Sequence, residues 1–171
     1  MTPFLLIDDR SAPDLVSCLG TSWRVVSDTV MGGVSQGRLS VEAVLGRACW
    51  CLQGEVSLAN NGGFVQAGLD LSVAGFLDAG AYRGIELVVC GNGETYNVHL
   101  RTADTRIVWQ SYRASFVATA QWQTVRLPFS DFAAYRIDAP LDVRCLRRIG
   151  IVAIGRAFTA RVCVGRVGLY G

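Results

Sequence analysis

The chain contains no lysine: all 16 of its basic residues are arginine. Covalent chemistry through a lysine amine is therefore excluded. Histidine is nearly as scarce, with His99 alone, so no site can draw on two imidazoles. None of the six cysteines, Cys18, Cys49, Cys51, Cys90, Cys145 and Cys163, forms a Cys-x-x-Cys pair, and structural zinc is not expected. Four of them fall in apolar strand-like runs, where a reduced thiol packs as a small hydrophobe. No apolar run approaches the roughly 20 residues that span a bilayer. The first residues, Met1 to Asp9, lack the basic leader and long apolar stretch of a signal peptide, and the Arg-rich amphipathic character of a transit peptide. These absences lead to the expectation of a cytoplasmic chain without a membrane span.

What is present is a long, apolar, strand-patterned sequence. With 171 residues, 51% of them hydrophobic, it should bury its own core as one domain over residues 1–171. The arginines are dispersed, Arg147-Arg148 being the one adjacent pair, which argues against nucleic-acid binding. Ser11-Ala12-Pro13-Asp14 has the capping chemistry of a helix start, giving an expected helix that ends near Gly20. The rest reads as about ten strands at short spacing: Trp23–Val26, Arg38–Val44, Ala48–Leu52, Phe64–Leu69, Gly84–Cys90, Tyr96–Arg101, Arg106–Tyr112, Gln123–Leu127, Ile149–Ile154 and Arg161–Leu169. The expected architecture is all-β, an antiparallel jelly-roll sandwich with one or two short helices.

Two loops stand out. Ser27-Asp28-Thr29-Val30-Met31-Gly32-Gly33-Val34-Ser35 and Leu58-Ala59-Asn60-Asn61-Gly62-Gly63-Phe64 each set a Gly-Gly step beside polar groups. Positive φ is expected at Gly33, where glycine carries no steric penalty. Asp28, Asn60 and Asn61 allow two readings. Either they close their own turns, as Asx side chains do, or the loops lie side by side and present them, with Met31, Gly32, Gly33, Gly62 and Gly63, to a sugar, peptide or cation. Turn chemistry favours the first. A second polar surface is expected where Asn97, His99 and Arg101 share one face of a strand, with Trp109 or Tyr112 nearby.

Three apparent catalytic or cofactor signatures fail on context. Gly33-Val34-Ser35-Gln36-Gly37 fits a nucleophile elbow, with His99 downstream, yet a strand-period segment follows where a helix is required. Gly91-Asn92-Gly93 opens like a dinucleotide fingerprint, but a strand follows it, so no helix end would hold a pyrophosphate; a tight hairpin is expected instead. His99 has no evident proton-transfer partner. No catalytic residue, metal or cofactor is assigned; a serine hydrolase using Ser35 is the remote alternative.

Taken together, Trp23 with Ser27–Ser35, Gly54-Glu55-Val56-Ser57-Leu58 leading into Asn60–Phe64, Tyr82-Arg83-Gly84-Ile85, Gly91-Asn92-Gly93 with Tyr96, and Trp122 before Leu127-Pro128-Phe129-Ser130-Asp131-Phe132 resemble the complex I intermediate-associated protein family. The resemblance covers nearly the whole chain. It implies a galactose-binding-like β-sandwich, similar to carbohydrate-binding modules, and a non-catalytic assembly role with a protein partner such as a respiratory-complex subunit. A carbohydrate-binding module is the alternative, with a sugar or other small ligand as occupant. One departure follows Phe132: Ala133-Ala134-Tyr135-Arg136-Ile137-Asp138 stands where the family more often has an Arg-Gly step, and is expected to face the partner.

Overall fold

The computed structural model describes residues 2–171. Its twelve strands are, in chain order, β1 (Phe4–Asp8), β2 (Arg24–Ser27), β3 (Gln36–Val44), β4 (Arg47–Val56), β5 (Phe64–Asp70), β6 (Gly84–Gly91), β7 (Thr95–Thr102), β8 (Ser111–Val117), β9 (Gln123–Pro128), β10 (Ala133–Tyr135), β11 (Leu146–Ile154) and β12 (Phe158–Tyr170). They form two six-stranded sheets in which every pairing is antiparallel. Sheet I runs β3-β4-β12-β6-β9, with β1 also on β12; sheet II runs β10-β8-β7-β11-β5-β2. This is the antiparallel jelly-roll sandwich expected from the alternating sequence.

The period-two pattern decides which face each strand turns inwards. On β7, Tyr96, Val98 and Leu100 are buried, while Asn97, His99 and Arg101 are partly open. Trp50 and Leu52 of β4 and Val162 and Val164 of β12 are buried from the opposite sheet. Trp23 meets Trp50 with ring centroids 4.7 Å apart. Burying side chains of this size contributes roughly 1.5–3 kcal/mol each, and this shared layer holds the sheets together.

Four local expectations are corrected. Residues 11–20 form no helix; among the described residues only short 3-10 turns occur, at Asp28–Met31, Ala59–Asn61, Phe129–Asp131 and Val143–Cys145. Tertiary bonds overrule the capping signal: Asp8 is buried and accepts from Trp23 Nε1 (2.7 Å) and Arg10 Nη1 (2.8 Å), while Arg10 also donates to the Asp14 carbonyl. Arg10 and Asp14 both take positive φ, which no helix accommodates. Residues 106–110 form a loop rather than a strand, and β8 begins at Ser111. Gly91-Asn92-Gly93 is not a hairpin, because β6 and β7 belong to different sheets and the turn arches between them. Its Gly91 and Gly93 N–H groups are taken by Thr119 and Ala118 carbonyls.

The fourth correction concerns the thiols. Cys51 and Cys163 are joined in a disulfide. Register explains it: the two residues sit directly opposite on β4 and β12, with Cα atoms 4.1 Å apart. No helix among the described residues is long and apolar enough to cross a membrane.

Candidate functional site

Sheet II turns one face to the core and leaves the other uncovered. Register places Gly68, Gly150, His99 and Arg113 in one row across β5, β11, β7 and β8. Two adjacent glycines leave the middle of that row without side chains, and a hollow results. A Cβ on Gly150 would stand 2.5 Å from Gln66 Oε1, so the Gln66 amide reaches over the bare Gly150 backbone into space that a side chain would contest. The neighbouring row brings Asp70, Arg148 and Arg101 side by side.

Loops raise walls around this floor, enclosing a cleft of about 260 Å³. On the β5 side stand Met31, Leu58, Asn61, Gly62 and Gly63; on the β8 side stand Val108, Trp109, Gln110 and Tyr135. Met31, Leu58, Val108, Trp109 and Tyr135 are all exposed, Trp109 to 50%. Arginines supply the charge: Arg101, Arg113 and Arg148 line the cleft, and among the described residues no carboxylate does.

Each arginine is held differently. Arg101 Nη1 donates to the carbonyls of Ile107 (3.1 Å), Val108 (3.1 Å) and Gln110 (2.9 Å), which fixes the wall carrying Trp109. Arg113 stacks over the Tyr135 ring at 3.6 Å and donates from Nε to Ser111 Oγ. Arg148 pairs with Asp70 at 2.9 Å. Burial lowers the pKa of Arg101 and Arg113 from the usual arginine value, with neighbouring arginines adding to the shift. Both nonetheless stay charged, since guanidinium does not deprotonate in proteins.

His99 borders the cleft, but its Nε2 is buried without a hydrogen-bond partner. Burial, and secondarily the Arg113 charge, push its pKa down to about 3, so the ring is neutral at physiological pH.

The Gly-Gly loops meet at Asp28, which is fully buried beneath the cleft wall. Its carboxylate accepts from Ser35 N (2.9 Å), Ser35 Oγ, Gly63 N (2.6 Å) and Phe64 N (3.3 Å). Burial alone would raise its pKa; the bonds from Ser35, Gly63 and Phe64 outweigh that and hold it below the ordinary value. Asp28 thus ties the two loops together. Positive φ falls on Gly32 rather than Gly33. Gly33 is required for a different reason: a Cβ there, or on Gly62, would collide with the Asp28 carboxylate.

Of the sequence-derived candidates, Met31, Asn61, Gly62, Gly63, His99 and Arg101 line the cleft. Gly32, Gly33 and Asn60 belong to the loops without lining it, and Asn97 shares the open face one row beyond His99. Tyr112 does not belong to this surface. It is 1% exposed and donates from its hydroxyl to the Ala139 carbonyl at 2.6 Å, because β8 turns Ser111 and Arg113 outwards and Tyr112 inwards. Arg113, Tyr135, Arg148 and Gly150 were not singled out, since strand order alone brings them together. Ser35 is 1% exposed, with its hydroxyl engaged by Asp28 and the Ser57 backbone, and no imidazole is among its partners.

The sequence model of the complex I intermediate-associated protein 30 family matches residues 17–161. The chain belongs to this family. No curated protein sequence matches it. Among solved structures, this member of the complex I intermediate-associated protein 30 family is similar in fold to carbohydrate-binding modules. A family 11 module from Clostridium thermocellum, solved with a β-1,3-1,4-mixed-linked tetrasaccharide, superposes with a TM-score of 0.73 at 13% identity, covering 97% of this chain and 94% of that one. A family 11 module of a cellulosomal cellulase of Clostridium thermocellum gives 0.75 at 11% identity over 99% and 95%. A family 30 module of another cellulosomal cellulase of that organism gives 0.68 at 16% over 98% and 96%. At such identities the likeness establishes the antiparallel β-sandwich fold and nothing about ligands.

Proposed function

We propose that this chain is a non-catalytic recognition module for assembly, and that the open face of sheet II receives a segment of a protein partner, such as a respiratory-complex subunit. The observation that carries the reading is the cleft itself: exposed apolar side chains on both walls, three arginines, and no lining carboxylate among the described residues. A peptide segment combining a carboxylate with an apolar side chain complements it. The apolar groups supply contact area, while the half-buried guanidiniums select the charge. Membership of the assembly-factor family supports a protein partner. The departure at Ala133–Asp138 fits the same reading, because β10 ends in Tyr135 at the cleft wall. The neutral, unpartnered His99 and the engaged Ser35 support binding without turnover.

Trp109 favours a second reading. Its half-exposed ring lines the same cleft as the side chains of Gln66, Gln110 and Asn61, a combination that also suits a sugar ring. The test places a photo-crosslinking residue at Val108 in native cells and identifies the attached peptides. Crosslinks to acidic segments of a defined assembly, lost in Arg113→Glu, are expected. No reproducible protein adduct, together with a specific hit on a glycan array, would replace the partner-protein reading with the sugar one.

A further inference from the structure

Sheet I, on the far side of the sandwich from the cleft, carries four cysteines on its outer face. Trp50, Leu52, Val89, Val162 and Val164 belong to the core layer. Strand alternation therefore turns Cys49, Cys51, Cys90 and Cys163 the other way. Register aligns three of them: Cys51 lies opposite Cys163 across β4 and β12, and Cys163 opposite Cys90 across β12 and β6. Cys49 follows one pleat along β4, its Sγ 3.8 Å from that of Cys51.

An outer face should be wet, yet Cys49, Cys51 and Cys163 are completely buried and Cys90 is 3% exposed. Val44 and Trp122 pack on them. Trp122 is fixed there by a 2.8 Å bond from Nε1 to the Val44 carbonyl, and the Arg47 guanidinium lies over its ring. Arg161, paired with Glu42, stands along β12 beside Cys163. Packing alone does not call for sulfur from several strands at one spot, since valine fills such positions equally well.

The Sγ atoms of Cys49, Cys51 and Cys163 lie within 4.8 Å of one another. Two thiolates bound at about 2.3 Å to one ion stand roughly 3.8–4.0 Å apart, which is the spacing of Cys49 and Cys51. We propose that, once the Cys51–Cys163 disulfide is reduced, Cys49, Cys51 and Cys163 form a buried three-thiolate site for one Cu(I) ion. The donor set is sulfur alone, in a dry enclosure, and soft thiolates select soft ions. Structural zinc takes four ligands in a tetrahedron; Cys90 lies outside the three-sulfur group, and the one imidazole is on the other sheet.

The chemistry balances. A thiol reductant supplies the two electrons and two protons that open the disulfide, and is itself converted to a disulfide. Cu(I) then displaces three thiol protons to solvent without changing oxidation state. Of the charges that act on Cys49, the Arg161 guanidinium offsets part of the resulting −2, while the Glu42 carboxylate paired with it opposes.

The test reduces the full chain with a water-soluble phosphine, removes it anaerobically, and titrates Cu(I) against a chromogenic chelator. One equivalent per chain should bind, with a thiolate-to-copper charge-transfer band and a sulfur-only shell by X-ray absorption. Cys49→Ser, which leaves both disulfide partners intact, should weaken binding by at least about 100-fold, since even outer-shell changes cost about 10–100-fold. Cys18→Ser and Cys145→Ser should leave it unchanged. A reduced chain that folds only with copper would also support the site. No copper retained, Cys49→Ser binding like the parent, preferential uptake of Zn(II), or a reduced chain that folds in neither state would overturn it.

Discussion

Replacing Asp28 by asparagine keeps the shape of the side chain and removes its charge. The amide must put its NH2 group where one carboxylate oxygen stood. At the Oδ2 position it would face three donors, Ser35 Oγ, Gly63 N and Phe64 N; at Oδ1 it would face only Ser35 N. The second orientation is cheaper, and it still strands a buried N–H at a cost of about 1–3 kcal/mol. The bonds that survive lose their charge assistance, which roughly halves them. The sum is about 2–4 kcal/mol. For a chain of this length each kcal/mol moves Tm by about 2–4 °C, so Asp28→Asn should melt roughly 5–15 °C below the parent. Urea denaturation followed by tryptophan fluorescence gives the free energy directly.

The pH dependence sharpens the test. Asp28 has a folded pKa below its ordinary 3.8, so its charge contributes fully above that value and the contribution is lost as pH falls through the folded pKa. The gap between parent and variant should hold from pH 7 to about pH 4 and close only below. A loss under about 1 kcal/mol at pH 7, or a gap that closes well above pH 4, would refute the loop-clamp argument.

Gly33→Val should cost about 1–3 kcal/mol in the same assay, because its Cβ collides with the Asp28 carboxylate; an unchanged melting temperature would contradict this. His99 should make the protein acid-sensitive. Its folded pKa of about 3 lies below the unfolded 6.5, so the unfolded chain binds the extra proton and stability falls by up to about 1.4 kcal/mol per pH unit on acidification below 6.5. His99→Gln should flatten that slope. Arg101→Met removes the donor shared by three carbonyls of residues 107–110; faster amide exchange confined to that loop is expected, and a globally lowered melting temperature with an unchanged loop would count against the wall-holding role.

Alternation made the fold readable. Tyr96–Arg101 announces its buried and open faces in single residues, and the open face did become the floor of the cleft. Where local chemistry competed with distant partners, the distant partners won. Ser11 and Pro13 offer a sound helix start, but the Asp8, Arg10 and Trp23 cluster holds that segment in turns. Asn92-Gly93 supplies the positive φ of a tight turn, and Gly93 adopts it, yet the turn joins two sheets. The candidate site was half visible for the same reason. His99 and Arg101 share a strand and could be read together, whereas Arg113, Tyr135 and Arg148 join them only through the order β10-β8-β7-β11. Cys51 and Cys163, separated by 112 residues, likewise carry no local sign of their pairing.

The position of β12 has a consequence for how the protein is made. This 13-residue strand borders β1, β4 and β6, all of which precede it in the chain. During synthesis the hairpin β3–β4 and the pair β6–β9 therefore stay unjoined to one another until residues 158–170 are made. Contacts of such long sequence separation close slowly, and exposed strand edges in the interval invite association with other chains.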